Sequence, residues 1–274
     1  MKKINEEAAA LLALDSKVGL VGFLDDDGYP HVTFFNSLQG LGEDKLTLGQ
    51  FMTGMSKECI PNHPDVAFLA LTADMRWVRG NARFTHTATT GPEYDMYNAK
   101  PLFRYNTYFA INTVWYFDLQ EIGEVEKLPM GKIVAGALLS RAAAPLCKKC
   151  EPEAITEFSV ELLDKIDGLK FLCYTNAQGM LTLLPVIQAT SAGAGRVAFA
   201  GAPYGKELAA VPTGQKVAVY AANLKLQSVL TQGVFVGKKG GAYCVDIEKV
   251  YNSMPTCVGY IFPRQLRPEP IESF

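Results

Sequence analysis

The sequence lacks any uninterrupted apolar run near the ~20 residues that a membrane-spanning helix needs. The run Ala8–Leu14 follows two glutamates and is too short for the hydrophobic part of a signal peptide. An excess of charge of one sign is also lacking, since 26 Lys and Arg face 28 Asp and Glu for a net charge of −2. We therefore expect neither a membrane partner nor a nucleic acid partner, which usually requires a clustered basic face.

Residues that bind metals or form disulfides are scarce, with six cysteines and three histidines in 274 residues. Few cysteines without an export signal indicate reduced thiols and a cytoplasmic protein. Cys147 and Cys150 form the one close pair, and a structural zinc site would need a second pair or two suitably spaced histidines. We predict no metal and a plain connector at this pair. A metal site completed by another chain and redox chemistry are the alternatives.

Nucleotide-binding motifs of the common kinds are absent, since neither GxGxxG after a first strand nor GxxxxGK[ST] occurs. A Rossmann or P-loop cofactor site is therefore not expected. The chain instead contains many short apolar runs at hairpin spacing and few helical patterns. Such a pattern is typical of closed or nearly closed antiparallel barrels, which predicts a mainly β fold.

The sequence contains an internal repeat. Gly28 and Gly179 lie 151 positions apart, and that shift aligns the copies without a gap over 28–68. Residues 117–119 match 245–247 at a shift of 128, so the second copy has lost a segment in between. A repeat of this length predicts two similar domains in one chain.

We predict a first domain over 1–123, a connector over 124–152 that is rich in glycine and proline, and a second domain over 153–274. A short helix is expected before the first strand of each copy. Predicted strands cover 18–24, 31–37, 45–51, 66–72, 75–86 and 112–122 in the first copy, and 169–175, 181–189, 195–200, 216–222, 228–237 and 242–250 in the second.

The stretch 48–57 of the first copy has residues suited to holding an anion. We predict that a strand ends there, a glycine allows a turn, and a helix over 53–62 begins with Ser56 as its N-cap. Thr53, Ser56 and Lys57 would then lie at a helix N-terminus, where backbone N–H groups and the helix dipole favour anions. The alternative is that Ser56 only caps the helix and Lys57 is a solvated surface charge.

The two copies differ at this stretch. The repeat aligns Ser56 with Glu207 and Lys57 with Leu208. A carboxylate beside a phosphate would repel it, so the first copy is predicted to be functional and the second degenerate. Lys206, one position earlier, could partly substitute for Lys57.

The histidines and the inserted tyrosines have less specific patterns. We expect His31 and His63 in surface turns. Residues 92–105 have helix-compatible spacing, and Tyr94 and Tyr97 within them are expected on a surface helix, or else in a lid or an interface.

Several short motifs follow one another through the first copy, namely 27–30 (Asp-Gly-Tyr-Pro), strand 31–37, the turn 50–57, 62–67 (Asn-His-Pro-Asp-Val-Ala) and 76–82 (Arg-Trp-Val-Arg-Gly-Asn-Ala). Their order and spacing resemble the FMN-binding split-barrel family that includes pyridoxamine 5′-phosphate oxidase. The resemblance covers about residues 17–122, and the repeat extends it to most of the chain. It implies two tandem six-stranded antiparallel split barrels of Greek-key type with short flanking helices. They would form an intrachain pseudo-dimer, and a homodimer is left open.

The resemblance also implies FMN as the cofactor. By analogy with the family, Thr53, Ser56 and Lys57 would hold the FMN phosphate, with Gln50 at the start of the same turn. The implied activity is oxidoreduction of a small-molecule substrate or electron donor through the bound flavin.

Five further residues are candidates for the flavin ring, which in this family lies against the strand aligned with 33–36. Thr33 is on that strand, and Phe34 and Phe35 point to opposite faces, so that one is expected in the core and the other beside the ring. Asn36 is either a satisfied polar residue at the strand end or a donor to the ring. Trp77 is either core or interface packing or a stacking partner.

The chain departs from the vitamin-B6 oxidase at several positions. Thr33 stands where that enzyme has an arginine, and residues 260–274 offer no convincing counterpart of its substrate-binding arginine and histidine. We find no nucleophile–base pair or carboxylate dyad, so no catalytic residue is named. The alternatives are haem or a deazaflavin on the same barrel, a flavin-binding or sensing module without turnover, and an interaction module without a ligand.

Overall fold

A computed structural model describes residues 3–50, 54–101, 110–223, 225, 227–253 and 258–263. The chain forms two compact units, Met1–Leu128 with Gln178–Leu183, and Pro129–Ala177 with Leu184–Phe274. The fold is mainly β, with two separate antiparallel sheets and short helices. This confirms the predicted fold class.

The first sheet contains the six predicted strands and two short ones. In chain order its elements are α1 (Glu6–Ala13), β1 (Val18–Leu24), β2 (Pro30–Phe34), β3 (Gln39–Leu41), β4 (Lys45–Gln50), α2 (Met55–Asn62), β5 (Asp65–Leu71), β6 (Arg76–Ala88), α3 (Pro92–Ala99), β7 (Thr113–Ile122) and β8 (Glu126–Lys127). The strand order is β2-β1-β5-β6-β7-β4-β3, and β8 pairs with β6.

The two ends of this sheet are neighbours in the chain. β2 and β3 are the outer strands of the order, yet only residues 35–38 separate them. Ser37 joins the two ends, because its hydroxyl donates to the carbonyl oxygen of Gly49 at 2.7 Å and accepts from the Gly49 N–H at 3.1 Å. The sheet therefore curls into a barrel. Between its outer strands, the barrel is closed by the loop 35–38 and by the Ser37 side chain rather than by strand pairing.

The second sheet repeats this arrangement. Its elements are α4 (Met130–Ala143), a 3₁₀ helix (Ala144–Cys147), α5 (Glu157–Asp164), β9 (Leu169–Thr175), β10 (Leu181–Pro185), β11 (Thr190–Ser191), β12 (Arg196–Phe199), α6 (Gly205–Ala210), β13 (Lys216–Ala222), β14 (Ser228–Lys239), β15 (Ala242–Asn252) and β16 (Gly259–Phe262). The strand order is β10-β9-β13-β14-β15-β12-β11, with β16 beside β15.

The repeat is visible in the boundaries of the elements. Adding 151 to the bounds of α1, β1, β2 and β5 gives the bounds of α5, β9, β10 and β13. The first hairpins match in backbone conformation too, since Gly28 has φ 74° and Gly179 has φ 79°, values that favour glycine. The copies differ between their long strands: α3 lies between β6 and β7, whereas Gly240 and Gly241 alone join β14 to β15. The predicted loss of a segment from the second copy is confirmed.

Each barrel has its own hydrophobic core. Phe23, Phe68 and Phe117 are fully buried in the first core, and Phe199 and Phe235 are buried in the second. Burial of a side chain of this size contributes about 1.5–3 kcal/mol. The predicted strands therefore supply the two cores, as their short apolar runs indicated.

The predicted connector contains a helix that the sequence did not indicate. α4 packs on the second sheet, where Ser140 Oγ accepts from the Ala200 N–H at 2.7 Å. Gly136 faces the same surface, and a Cβ there would lie 2.7 Å from the Ala202 carbonyl oxygen. Pro129 occupies the N-cap position. Proline and glycine thus mark a helix start and a close contact here, rather than an irregular segment.

Of the helices that the structure describes, one is long and apolar enough to cross a membrane by length and composition alone. It is Met130–Cys147, with a mean hydropathy of 1.2 and 33% of its residues buried. Its buried side chains, which include Ile133 and Ala137, pack against the second sheet. The helix therefore has one face on the second sheet and its other face exposed.

Candidate functional site

The predicted anion site lies where β4 ends and α2 begins. The helix starts at Met55, and Gly54 is the N-cap with extended backbone and no side-chain capping bond. The prediction that Ser56 caps the helix is wrong, because Ser56 is already at the second helical position. Thr53 lies outside the described residues.

Ser56 and Lys57 are placed differently by the helix. Ser56 is buried, whereas Lys57 is exposed. The Lys57 N–H donates to the Gly54 carbonyl oxygen at 3.0 Å, which closes the first turn. The Lys57 ammonium has no ion-pair partner among the described residues. A helix start without a side-chain cap, beside an unpaired cation, has the chemistry of an anion site.

Ser37 connects the strand β2 to this turn. Its two hydrogen bonds with Gly49 attach the residues after β2 to the residue just before Gln50. The Phe35 N–H also donates to the Gly19 carbonyl oxygen at 2.7 Å, which fixes the end of β2 against β1. The structure therefore brings the strand predicted to contact a flavin ring to the turn predicted to hold its phosphate.

Gln50 uses its side chain inside the barrel. Its Oε1 accepts from the Trp115 Nε1–H at 2.6 Å, and both side chains are buried. The Gln50 carbonyl oxygen accepts from the Asn112 N–H at 2.9 Å. Gln50 thus positions the end of β4 and directs its side-chain oxygen to Trp115.

The candidate ring residues on and after β2 are half-buried. Thr33 pairs with Val21 and Phe34 pairs with Leu20 in the ladder to β1. Phe35 packs against the first hydrophobic core, which makes it the core member of the Phe34–Phe35 pair. Asn36 follows at the end of the strand and is also half-buried.

Trp77 is not close to these residues along the sheet. It lies on β6, three strands from β2, which corresponds to about 14 Å at ~4.8 Å per strand. Its side chain is 2% exposed, and the Arg79 guanidinium lies 5.2 Å from its ring centroid. The neighbouring Val78 belongs to the barrel core, so Trp77 is on the opposite face of β6. Trp77 is therefore buried on the face of β6 that points away from the barrel core.

Two residues of this region were missed by sequence reasoning, Ser37 and Tyr97. α3 lies at the surface as expected, but Tyr97 on its inner side is fully buried, and its hydroxyl donates to the Ser37 carbonyl oxygen at 2.8 Å. The same hydroxyl lies 2.9 Å from Thr47 Oγ1. Burial raises the pKa of Tyr97, so it stays a neutral hydrogen-bonding group. The inserted helix therefore covers β4 beside the site.

The repeat offered one signal for Ser37. It aligns Ser37 with Gln188 and Gly49 with Ala200, and Gln188 Nε2 donates to the Ala200 carbonyl oxygen at 3.1 Å. A polar residue thus joins the same two positions in both barrels. Comparison of the copies at every polar position would have identified it.

His31 is buried in β2, so its predicted place in a surface turn is wrong. It stacks on Phe23 with ring centroids 5.0 Å apart. Burial lowers its pKa to about 3. The neutral His31 ring packs on Phe23. The prediction failed because His31 belongs to β2, the strand that follows the hairpin turn, and not to the turn itself.

The corresponding turn of the second copy borders an open pocket of about 670 Å³. Lys206, Glu207, Lys238 and Tyr243 are among its lining residues. Among the described residues, no group of three or more His, Cys, Asp or Glu side chains is arranged to hold a metal ion.

No family model matches the chain, and no curated protein matches it. Solved structures similar to it include an FMN-binding protein from Syntrophomonas wolfei subsp. wolfei, with 18% identity over 45% of this chain and 86% of that chain and a TM-score of 0.38. A putative pyridoxamine 5′-phosphate oxidase from Lactobacillus delbrueckii has 23% identity over 45% of this chain and 100% of that one, with a TM-score of 0.35. An F420 reductase has 15% identity over 44% and 98%, with a TM-score of 0.36. Each of these structures covers less than half of this chain and most or all of its own.

Proposed function

We propose that the chain is a cytoplasmic FMN-binding oxidoreductase that acts on a small molecule, with the cofactor phosphate at the start of α2 in the first copy. The observation that carries the proposal is the double hydrogen bond between Ser37 and Gly49. It supports one continuous site, because it joins the end of β2 to the strand that leads into α2.

The residues present fit an FMN phosphate. The N-terminus of α2 has no side-chain cap, and the Lys57 ammonium is exposed beside it. Charge-assisted hydrogen bonds of this kind are stronger than neutral ones. Thr33 and Phe34, half-buried on the outermost strand of the sheet, would orient the ring and exclude water from one side of it.

Flavin, when bound, supplies transfer of hydride or of single electrons, while the protein supplies binding, orientation and electrostatics. The work assigned to this chain is therefore positional. Gln50 and Ser37 hold the end of β4, Tyr97 supports it through its bond to Ser37, and Lys57 would donate a charge-assisted hydrogen bond to the phosphate. The proposal assigns no general acid or base.

Lys57→Ala should weaken FMN binding roughly ten- to hundredfold, because a hydrogen bond to a charged group contributes about 1.5–3 kcal/mol. Titration of apo-protein with FMN, followed by flavin absorbance, measures this change. Lys206→Ala is the matched control from the second copy and should have the smaller effect. Equal affinities of wild type and Lys57→Ala, or a larger loss at Lys206, would place the phosphate elsewhere.

The visible spectrum of the purified protein separates the alternatives. Flavin bands and their bleaching by NADH or NADPH support the oxidoreductase. Flavin bands that persist after NADH or NADPH is added would indicate a sensing module without turnover. A Soret band would indicate haem. Binding of a deazaflavin in preference to FMN would change the cofactor but keep the site. A colourless protein that does not bind added FMN would contradict the oxidoreductase and support the interaction module without a ligand.

A further inference from the structure

The pocket in the second copy is a separate feature from the proposed flavin site. It lies between the segment 201–209, which contains the start of α6, and the ends of β14 and β15 that carry Lys238 and Tyr243. Its volume of about 670 Å³ falls within the ~300–1,000 Å³ typical of small-molecule sites. A single water occupies about 30 Å³ in the liquid, so the pocket holds much more than a simple ion.

The charges that line this pocket sum to one positive charge. Lys206 and Lys238 contribute two positive charges, and Glu207 contributes one negative charge. Neither lysine has an ion-pair partner in the part of the chain that the structure describes. The Lys238 ammonium lies 5.0 Å from the centroid of the Tyr243 ring. Two cations and one carboxylate favour a ligand with a single negative charge over a dianion.

The apolar part of the pocket is preformed. Tyr243 is buried, and its ring packs on Phe235 and Phe199 of the second core at centroid distances of 5.8 Å and 6.5 Å. Its hydroxyl donates to the Gly205 carbonyl oxygen at 3.4 Å, which ties it to α6. Tyr204 and Pro203 are also lining residues. Aromatic rings held in place by a core lose little conformational freedom when a flat ligand packs on them.

We propose that this pocket binds a small aromatic monoanion, with its ring against the half-buried Tyr204 and Pro203 and its carboxylate or sulfonate between Lys206 and Lys238. The site is independent of the proposed flavin site, because it uses no residue of the first copy. The copy that lost the Ser56 and Lys57 equivalents thus has its own binding function, for which Glu207 selects against dianions.

Titration of the full chain with 1-naphthoate, followed by its fluorescence and by calorimetry, tests the proposal. We expect saturable binding, weakened roughly tenfold by Lys206→Ala and by Lys238→Ala through loss of a charge-assisted bond. Lys239→Ala is the matched control, since Lys239 is the next residue of β14, is exposed and is not among the pocket-lining residues. It should bind as the wild type does. All three lysines are exposed, and unchanged thermal midpoints would show that the variants fold.

Altered ligands are expected to bind more weakly than 1-naphthoate, whereas a change at Glu207 is expected to raise the affinity for 1-naphthoate. The neutral 1-naphthamide and the ringless acetate should each bind more weakly than 1-naphthoate, and Glu207→Gln should tighten 1-naphthoate severalfold. Lys57→Ala should leave 1-naphthoate binding unchanged while it weakens FMN binding, so failure of one site is distinguishable from failure of the other. The proposal is overturned by an equal loss in Lys239→Ala, by equal binding of 1-naphthamide, or by no saturation up to about 10 mM.

Discussion

His31 illustrates how strongly burial acts on one side chain in this fold. The ring is 1% exposed and stacks on Phe23, so a proton on it would place a charge among apolar groups. Its pKa in the folded protein is therefore lowered from 6.5 to about 3. The unfolded chain, in which the ring is hydrated, takes up a proton near pH 6.5.

We expect the protein to lose stability as the pH falls from about 6.5 towards 3, because there the unfolded state binds a proton at residue 31 that the folded state does not. One such proton corresponds to about 1.4 kcal/mol per pH unit within that window. His31→Phe keeps an aromatic ring beside Phe23 and should remove this part of the slope. Thermal midpoints measured at about pH 7 and about pH 5 give the comparison.

His63, the other histidine expected in a surface turn, is partly exposed, and its Nε2 lies 3.4 Å from Asp26 Oδ1. The measurement therefore compares wild type and His31→Phe, which both keep His63. An identical slope in wild type and His31→Phe would show that His31 is solvated in solution, against its placement in β2.

At the scale of elements, the seam between the outer strands decides where the two halves of the candidate site meet. Ser37 in the first barrel and Gln188 in the second each donate from the loop after the second strand to the strand that precedes the turn. Both side chains are buried. Removal of such a partner leaves buried backbone groups with fewer hydrogen bonds, which costs about 1–3 kcal/mol.

Ser37→Ala should therefore lower the free energy of unfolding by about 1–3 kcal/mol and also weaken FMN binding, because the end of β4 loses its tie to β2. Gln188→Ala should lower stability by a similar amount and leave FMN affinity unchanged, since it acts in the other barrel. Urea unfolding and FMN titration of both variants measure the two effects. An equal loss of FMN affinity in Gln188→Ala and Ser37→Ala would contradict a specific role of Ser37 at the flavin site.

At the scale of the whole molecule, one fold occurs twice with different polar residues at the equivalent turn. The strand orders of the two sheets are the same, and four pairs of elements have bounds 151 residues apart. The shared residues maintain two cores, whereas Ser56 and Lys57 are replaced by Glu207 and Leu208. The duplicated fold is therefore kept, while the polar residues of this turn differ between the copies.

We expect one FMN per chain at saturation, because Glu207 places a negative charge where the second copy would receive the phosphate. Flavin absorbance of protein freed of unbound FMN, divided by protein concentration, gives the ratio. A ratio of two would show that Lys206 substitutes for Lys57 and that the second copy is competent for flavin as well.

Much of the fold was predictable because its signals are local. Apolar runs and turn residues placed β1, β5 and the first hairpins, and the repeat confirmed them in the second copy. The N-cap of α2 was misplaced because serine suits both a cap and a second helical position, and the backbone of Gly54 decides between them. α4 was missed because Gly136 allows a close contact with the second sheet that no local pattern indicates.

The sequence by itself determined that the molecule is two antiparallel barrels of one topology. Short apolar runs, turn glycines and a repeat with a shift of 151 over residues 28–68 are all local features of the chain. Only the tertiary structure decided which polar groups meet. Ser37, Gly49 and Tyr97 come from a loop, a strand and an inserted helix, and their hydrogen bonds form only after the barrel closes. The same holds for the pocket of the second copy, whose lysines are 32 residues apart in sequence and come together because β14 folds back beside α6.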